Sequence, residues 1–304
     1  MSRFPLVTMY TKPGCGLCDE AEEVIDSVRA KRRFKFERQN ILENFGDFEK
    51  FKHDIPVVFV NGREIARHHV DRAVLASALD DARDIVVVVM AKLPTPGRVK
   101  TRLAPPLTAD DAARLHREFL LHVVHRLRTW PIIACHDPPD AQAEMRGLLV
   151  GVDLLPQSDG DLGERLTSAA TQCGAREVIF VGADSPDVPE THLHRVAELL
   201  GTHDVVIAPA EDGGFWSVAI SSRVEPAKLF AGIEWSTGRE RSQTLERARR
   251  LGYNVALADQ WADVDCPDDL QRLLERLRTS SDPDDQQLLA RLSFLPPPLR
   301  DGVA

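Results

Sequence analysis

Tyr10-Thr11-Lys12-Pro13-Gly14-Cys15-Gly16-Leu17-Cys18-Asp19 decides the fold of the first part of this chain. Ahead of it, Phe4 to Tyr10 is an apolar run of strand length, and behind it Asp19 to Val28 carries apolar residues at helical spacing. Cys15 therefore falls at the first turn of a helix that follows a buried strand. Unpaired amide groups at such a turn favour a thiolate that attacks disulfides, and Cys18, one turn further in, is placed to resolve the mixed disulfide. Lys12 adds local positive charge. The other use of such a pair is half of a zinc site, which needs two more ligands, whereas Cys135, Cys173 and Cys266 stand isolated in the sequence.

Working outward, Phe34 to Arg38 reads as extended, Asn44 to Lys52 as helical, and Ile55 to Gly62 as a strand ending in the hairpin signal Asn61-Gly62. A helix from Asp71 to Asp81 closes a βαβαββα order. That order, with the dithiol directly after the first strand, resembles the thioredoxin superfamily and most closely the glutaredoxins, whose motif Tyr10 to Cys15 is similar to. The resemblance implies a cis Pro56 facing the dithiol within the binding site, a thiol or disulfide partner, and glutathione as a further candidate ligand; a proline opening an edge strand fits the same position. Gly16-Leu17 stands where glutaredoxins carry a proline and an aromatic residue, and His68-His69 where they carry paired glycines.

The chain has 304 residues, 43% of them hydrophobic and 28% charged, so it can bury ordinary cores, and no apolar run approaches membrane-spanning length. A net charge of -9 argues against broad nucleic-acid binding. Met1-Ser2-Arg3 opens no signal pattern, and five cysteines that include a reactive pair suit a reducing compartment, so a cytoplasmic location is expected. The dithiol region occupies residues 1–82, which leaves room for a second domain over 84–278 joined by the short acidic segment Asp80 to Asp84. Residues 279–304 read as a tail, either a short docking arm or disordered. The oligomeric state is not legible.

Ile85 to Met90 is a fully apolar strand that leads into Ala91-Lys92-Leu93-Pro94-Thr95-Pro96-Gly97-Arg98-Val99-Lys100-Thr101-Arg102-Leu103. Lys92, Arg98, Lys100 and Arg102 crowd this loop, and a loop at the end of a parallel strand lines the usual ligand crevice of an open α/β sheet. Phosphate is its natural guest. Strands at 131–135, 177–182 and 204–210, with helices between them, continue a wound α/β sheet. Two carboxylate motifs sit after strands: Gly182-Ala183-Asp184-Ser185-Pro186, and Asp263-Val264-Asp265-Cys266-Pro267-Asp268-Asp269. Such carboxylates bind magnesium or manganese beside phosphate oxygens; alternatively each turns the chain and caps the helix behind it.

From about residue 85 to 278, the segment Ala91 to Leu103, Gly160-Asp161-Leu162-Gly163-Glu164-Arg165, Gly182 to Pro186, Asp212-Gly213-Gly214-Phe215-Trp216 and Trp235-Ser236-Thr237 together resemble the DUF2064 group of GT-A-like transferases, which have a Rossmann-like α/β/α nucleotide-diphospho-sugar transferase fold. The basic loop and the Asp265 element are also similar to nucleotidyltransferases. The resemblance implies a nucleotide or nucleotide-sugar donor held on Mg2+ or Mn2+ by Asp184 and Asp265, with Asp263 the less favoured ligand. Lys92, Arg98, Lys100 and Arg102 would take the diphosphate. Asp212 would orient or deprotonate a hydroxyl of a small-molecule acceptor, next to Gly213 and Gly214. The expected activity is glycosyl transfer from a nucleotide sugar beside a dithiol redox domain. The alternatives are nucleotidyl transfer with release of pyrophosphate, or a non-catalytic nucleotide-binding scaffold.

Overall fold

The computed structural model describes residues 5–29, 34–82, 85–174, 177–200 and 203–296. In the first domain the order is β1 (Leu6–Thr11), α1 (Gly16–Arg29), β2 (Lys35–Asn40), α2 (Phe45–Phe51), β3 (Val57–Val60), β4 (Arg63–Arg67) and α3 (Arg72–Asp81). The strands form one sheet in the order β2-β1-β3-β4, with β1 and β2 parallel and β3 antiparallel to β1. Asn61 and Gly62, at φ 48 and 76, turn β3 into β4 as the dipeptide predicts. Residues 83 and 84 of the expected acidic join lie outside the described residues, as do 1–4 and 297–304.

The second domain runs β5 (Ile85–Lys92), α4 (Ala109–Arg126), β6 (Ile132–Asp137), α5 (Gln142–Leu148), β7 (Asp153–Pro156), α6 (Leu162–Cys173), β8 (Glu177–Gly182), α7 (Glu190–Leu200), β9 (Val205–Pro209), β10 (Phe215–Ile220), α8 (Pro226–Leu229), α9 (Glu240–Arg250), β11 (Val255–Leu257), α10 (Pro267–Thr279) and α11 (Pro283–Arg291). Its seven strands lie in the order β11-β9-β10-β8-β5-β6-β7, and β10 runs antiparallel to both β8 and β9. Successive residues of β5 serve opposite faces: Val87 and Val89 join one buried cluster, Val86 and Val88 another. A strand covered on both sides must be apolar at every position, which is why Ile85 to Met90 shows no alternation. The order reverses direction at β5 and β8, so a crevice opens beyond their carboxyl ends.

Residues 283–295 of the tail are packed, as the docking alternative has it; 297–304 lie outside the described residues. Leu288, Leu292 and Leu295 are buried in one cluster with Leu115 of α4 and Leu270 of α10. Asp284 of α11 also lies beside Arg128, at 3.7 Å, and His125, at 3.5 Å. Among the described residues no helix is long and apolar enough to cross a membrane.

The two sheets meet through charge as much as through apolar surface. Arg128 of the second domain ion-pairs with buried Asp47 of α2 and stacks 5.8 Å from the Tyr10 ring. Lys50 of α2 reaches Glu190 of α7 at 2.8 Å, and any side chain at Gly62 would collide with the Trp130 ring. Burial pushes the Glu190 carboxyl up, but His194 and Lys50 outweigh it and bring it down to about 2. A carboxyl depressed on folding contributes stability above its unfolded value and loses it as pH falls through its folded one. The Glu190 contribution is thus complete above the ordinary 4.5 and gone near 2, and melting temperatures across that window should fall less steeply in Lys50→Ala than in the parent. Arg128→Ala leaves Asp47 buried without its partner and is expected to cost about 3 kcal/mol in urea unfolding.

Candidate active site

Two separate sites emerge from the residues. In the first, Cys15 closes the turn before α1: its carbonyl accepts the N–H groups of Cys18 and Asp19 at 3.0 and 3.2 Å, so its sulfur sits at the helix start. Cys15 and Cys18 are joined as a disulfide with Cα atoms 5.2 Å apart. Cys18 is 2% exposed and packs with Tyr10, Ile41 and Phe51, whereas Cys15 lies at the margin of that cluster. An attacking thiol needs access and a resolving thiol does not, and Cys15 is the more exposed of the two. The Ile55-Pro56 peptide bond is cis, and the Pro56 carbonyl accepts the His68 N–H at 2.9 Å.

The second site is a cleft of about 930 Å³ at the carboxyl ends of β5 and β8. That volume is ample for a nucleotide with a small second substrate. Lys92, Arg98, Lys100 and Arg102 all line it, as do Asp184, Asp212, Gly214, Asp263 and Asp265. The backbone brings the two acidic motifs together, because Val264 N–H donates to the Asp184 carbonyl at 2.9 Å and Trp261 N–H donates to Pro209 at 3.0 Å. Asp265 does not take the capping alternative. The cap of α10 is Cys266 with Asp269, whose Oδ2 accepts the N–H groups of Asp265 and Cys266 at 2.9 and 2.8 Å. Asp265 is left to face Lys100 at 3.4 Å and Arg102 at 3.3 Å, and Asp184 pairs with Lys100.

Electrostatics follow from those contacts. Burial disfavours the Lys100 ammonium, the carboxylates of Asp184 and Asp265 outweigh it, and the group is held charged beyond its ordinary range. Desolvation likewise raises the Asp184 carboxyl, and Lys100 pulls it below the usual carboxylate value. Asp212, Asp263 and Asp265 can each offer an oxygen within 4.8 Å of the others. In that cluster burial, and then the charge of Asp212, pushes the Asp263 carboxyl up to about 6. Three carboxylates held this close are a set that a hard divalent cation would relieve. The structure therefore gathers Asp212, assigned to the acceptor by sequence, with Asp263 and Asp265, and sets Asp184 on Lys100.

Gly213 is required where it stands. At φ 95, any side chain on it would strike the Gly238 carbonyl, so the Asp212–Gly214 turn and the Ser236–Gly238 turn close on each other at the cleft edge. Sequence reasoning missed two lining residues, His116 and Gln157. His116 of α4, 5% exposed, holds its Nε2 3.2 Å from the Lys92 carbonyl, and burial lowers its pKa toward the neutral ring. Gln157 donates from Nε2 to the Cys135 carbonyl at 2.8 Å and accepts from Arg165 at 3.0 Å. Polar residues at the inner end of strands and on the buried face of a helix were the available signal.

Comparison with known proteins agrees with this division. Residues 6–80 match the family described as "Glutaredoxin-like domain (DUF836)", and residues 120–237 match "Uncharacterized protein conserved in bacteria (DUF2064)". A glutaredoxin-like protein YDR286C homolog of Dictyostelium discoideum is 34% identical over 71 residues, covering 21% of this chain; the chain spans 66% of that relative's length. The crystal structure of a provisionally named nucleotide-diphospho-sugar transferase from Desulfovibrio desulfuricans G20 superposes with a TM-score of 0.61 at 30% identity, covering 68% of this chain and 96% of the other. For the dithiol site, the expected outcome is that Cys15→Ser abolishes disulfide reduction while Cys18→Ser accumulates a mixed disulfide visible by mass spectrometry. A trapped adduct on Cys18 in Cys15→Ser would reverse the two roles.

Proposed function

We propose that this chain is a two-domain enzyme: a divalent-metal-dependent glycosyltransferase that takes a nucleotide-sugar donor and a small-molecule acceptor, carrying its own dithiol-disulfide domain; the matches of residues 120–237 to DUF2064 and of residues 6–80 to the glutaredoxin-like DUF836 family, and the likeness to the nucleotide-diphospho-sugar transferase structure, support the reading. The observation that carries the reading is the cleft in which a loop of Lys92, Arg98, Lys100 and Arg102 faces the Asp212, Asp263 and Asp265 carboxylates. The cations suit a diphosphate and the carboxylates suit the ion that accompanies it.

In this reading Lys92, Arg98 and Arg102, whose side chains are open to the cleft, bind the donor diphosphate and stabilise the charge that grows on it as the leaving group departs. Mg2+ or Mn2+ held by Asp212, Asp263 and Asp265 would supply Lewis-acid stabilisation of that same charge. The acceptor oxygen forms the new bond to the anomeric carbon, the bond from that carbon to the diphosphate breaks, and the acceptor proton passes to a carboxylate of the cleft. Asp212, exposed at the edge beside Gly213 and Gly214, is the carboxylate best placed to meet the acceptor. The first domain, by its resemblance, would exchange disulfides with a thiol partner, glutathione among the candidates, with cis Pro56 beside the dithiol.

The test is a screen of nucleotide sugars and nucleoside triphosphates with Mg2+ or Mn2+ for turnover. Release of free nucleoside diphosphate supports glycosyl transfer, and release of pyrophosphate replaces it with nucleotidyl transfer. Asp265→Asn and chelation of the metal should each lower turnover at least a hundredfold, and Arg102→Ala should lower kcat more than it raises KM. Disulfide reduction by the first domain should survive all three. Unchanged turnover in Asp265→Asn would remove the acidic cluster from the chemistry.

A further inference from the structure

Lys100 is already seated where two carboxylates converge. Its Nζ ion-pairs with Asp184 Oδ1, lies 3.4 Å from Asp265 Oδ1, donates to the Val264 carbonyl at 2.5 Å and stands 5.9 Å over the Phe119 ring. The side chain is 4% exposed. Two carboxylates, a carbonyl and a ring face are the surroundings of a bound cation, not those of a lysine reaching into solvent to collect a ligand. Its backbone is held at φ 47, a left-handed conformation that lysine adopts uncommonly, so the loop is shaped to deliver this one ammonium inward. The neighbouring cations behave differently: the Arg102 side chain is 73% exposed.

We propose that the Lys100 ammonium is the resident cation of the Asp184–Asp265 pair, excluding a divalent ion from between them and leaving the divalent ion to the Asp212, Asp263 and Asp265 oxygens. A divalent ion between Asp184 and Asp265 would be in contact with the ammonium, and two like charges so close in a partly desolvated site repel strongly. Asp265 is shared: its Oδ1 faces Lys100, its Oδ2 faces Arg102, and one of its oxygens lies within 4.8 Å of oxygens of Asp212 and Asp263. Asp184 then holds Lys100 and takes no part in the divalent site. The clause that places a divalent ion on the cluster rests on the metal-dependent reading above, whereas the exclusion itself does not.

The test counts Mn2+ bound by the full-length protein in the absence of donor, from the loss of the free Mn2+ spin-resonance signal. The parent should bind one ion, with affinity changed less than about threefold by Asp184→Asn and lost in Asp212→Asn. Lys100→Met, which keeps the length of the side chain and removes its charge, should bind one ion more than the parent, and adding Asp184→Asn should remove that extra ion. A parent that binds two ions, a parent whose ion is lost in Asp184→Asn, or a folded Lys100→Met that gains none would each overturn the proposal. If Lys100→Met fails to melt cooperatively, Asp184→Asn decides alone: retained Mn2+ supports the exclusion and lost Mn2+ ends it. A parent that binds no Mn2+, with a Lys100→Met that binds one at Asp184, would uphold the resident cation while sinking the metal-dependent reading.

Discussion

An ammonium buried to 4% exposure has to be neutralised where it lies, and that requirement at Lys100 organises the second domain. Residues 100, 184 and 265 come from the loop after β5, the loop after β8 and the approach to α10. The paired charge, the Val264 to Asp184 backbone hydrogen bond and the packing of Leu103 with Val264 bring all three to one place. The arrangement is maintained from behind: buried Asp187, three residues after Asp184, accepts two hydrogen bonds from Arg276 of α10 and one from the Trp261 indole. Lys100 and Asp187, at 4% and 3% side-chain exposure, are the members that would be left as uncompensated buried charges if their partners were removed, which costs more than an ordinary contact.

A comparable logic joins the domains. Arg128, closed over by Tyr10, Asp47 and Asp284, brings β1, α2 and α11 to one point. Tyr10 belongs to the cluster that also contains Cys18, so the wall behind the dithiol is the wall against which the second domain rests. Each chemistry has its own core, and the two cores share a border of charged groups, not a fused apolar interior.

Much of this was legible in the residues. The dithiol framed by a strand and a helix, the uniformly apolar β5 and the cations behind it carry their meaning locally, so the two domains, their α/β character and the residue types of both sites could be read directly. What could not be read was partnership. The resemblance implies an acceptor role for Asp212 and says nothing of its neighbours in space; β10 runs antiparallel between β8 and β9 and carries the turn before it to the end of the sheet where Asp263 and Asp265 lie. Lys100 looked like its three cationic neighbours, and only its left-handed backbone and the carboxylates more than eighty residues away turn it inward. The tail shows the same limit: polar residues from 280 to 287 conceal a short amphipathic helix, since Leu288 and Leu292 find their partners on α4 and α10.

That last helix fixes an order of events during synthesis. Helix α11 packs against α2 of the first domain and α4 of the second, and Asp284 completes the surroundings of Arg128. Its sequence is translated more than two hundred residues after α2. At ribosomal rates of about 5–20 residues per second, roughly 10–50 s separate the appearance of α2 from that of α11. From the appearance of α3 to that of α11 the first domain has every strand of its own sheet but lacks the piece that packs on its border, so a nascent chain presents the dithiol segment before the joined, two-domain molecule exists.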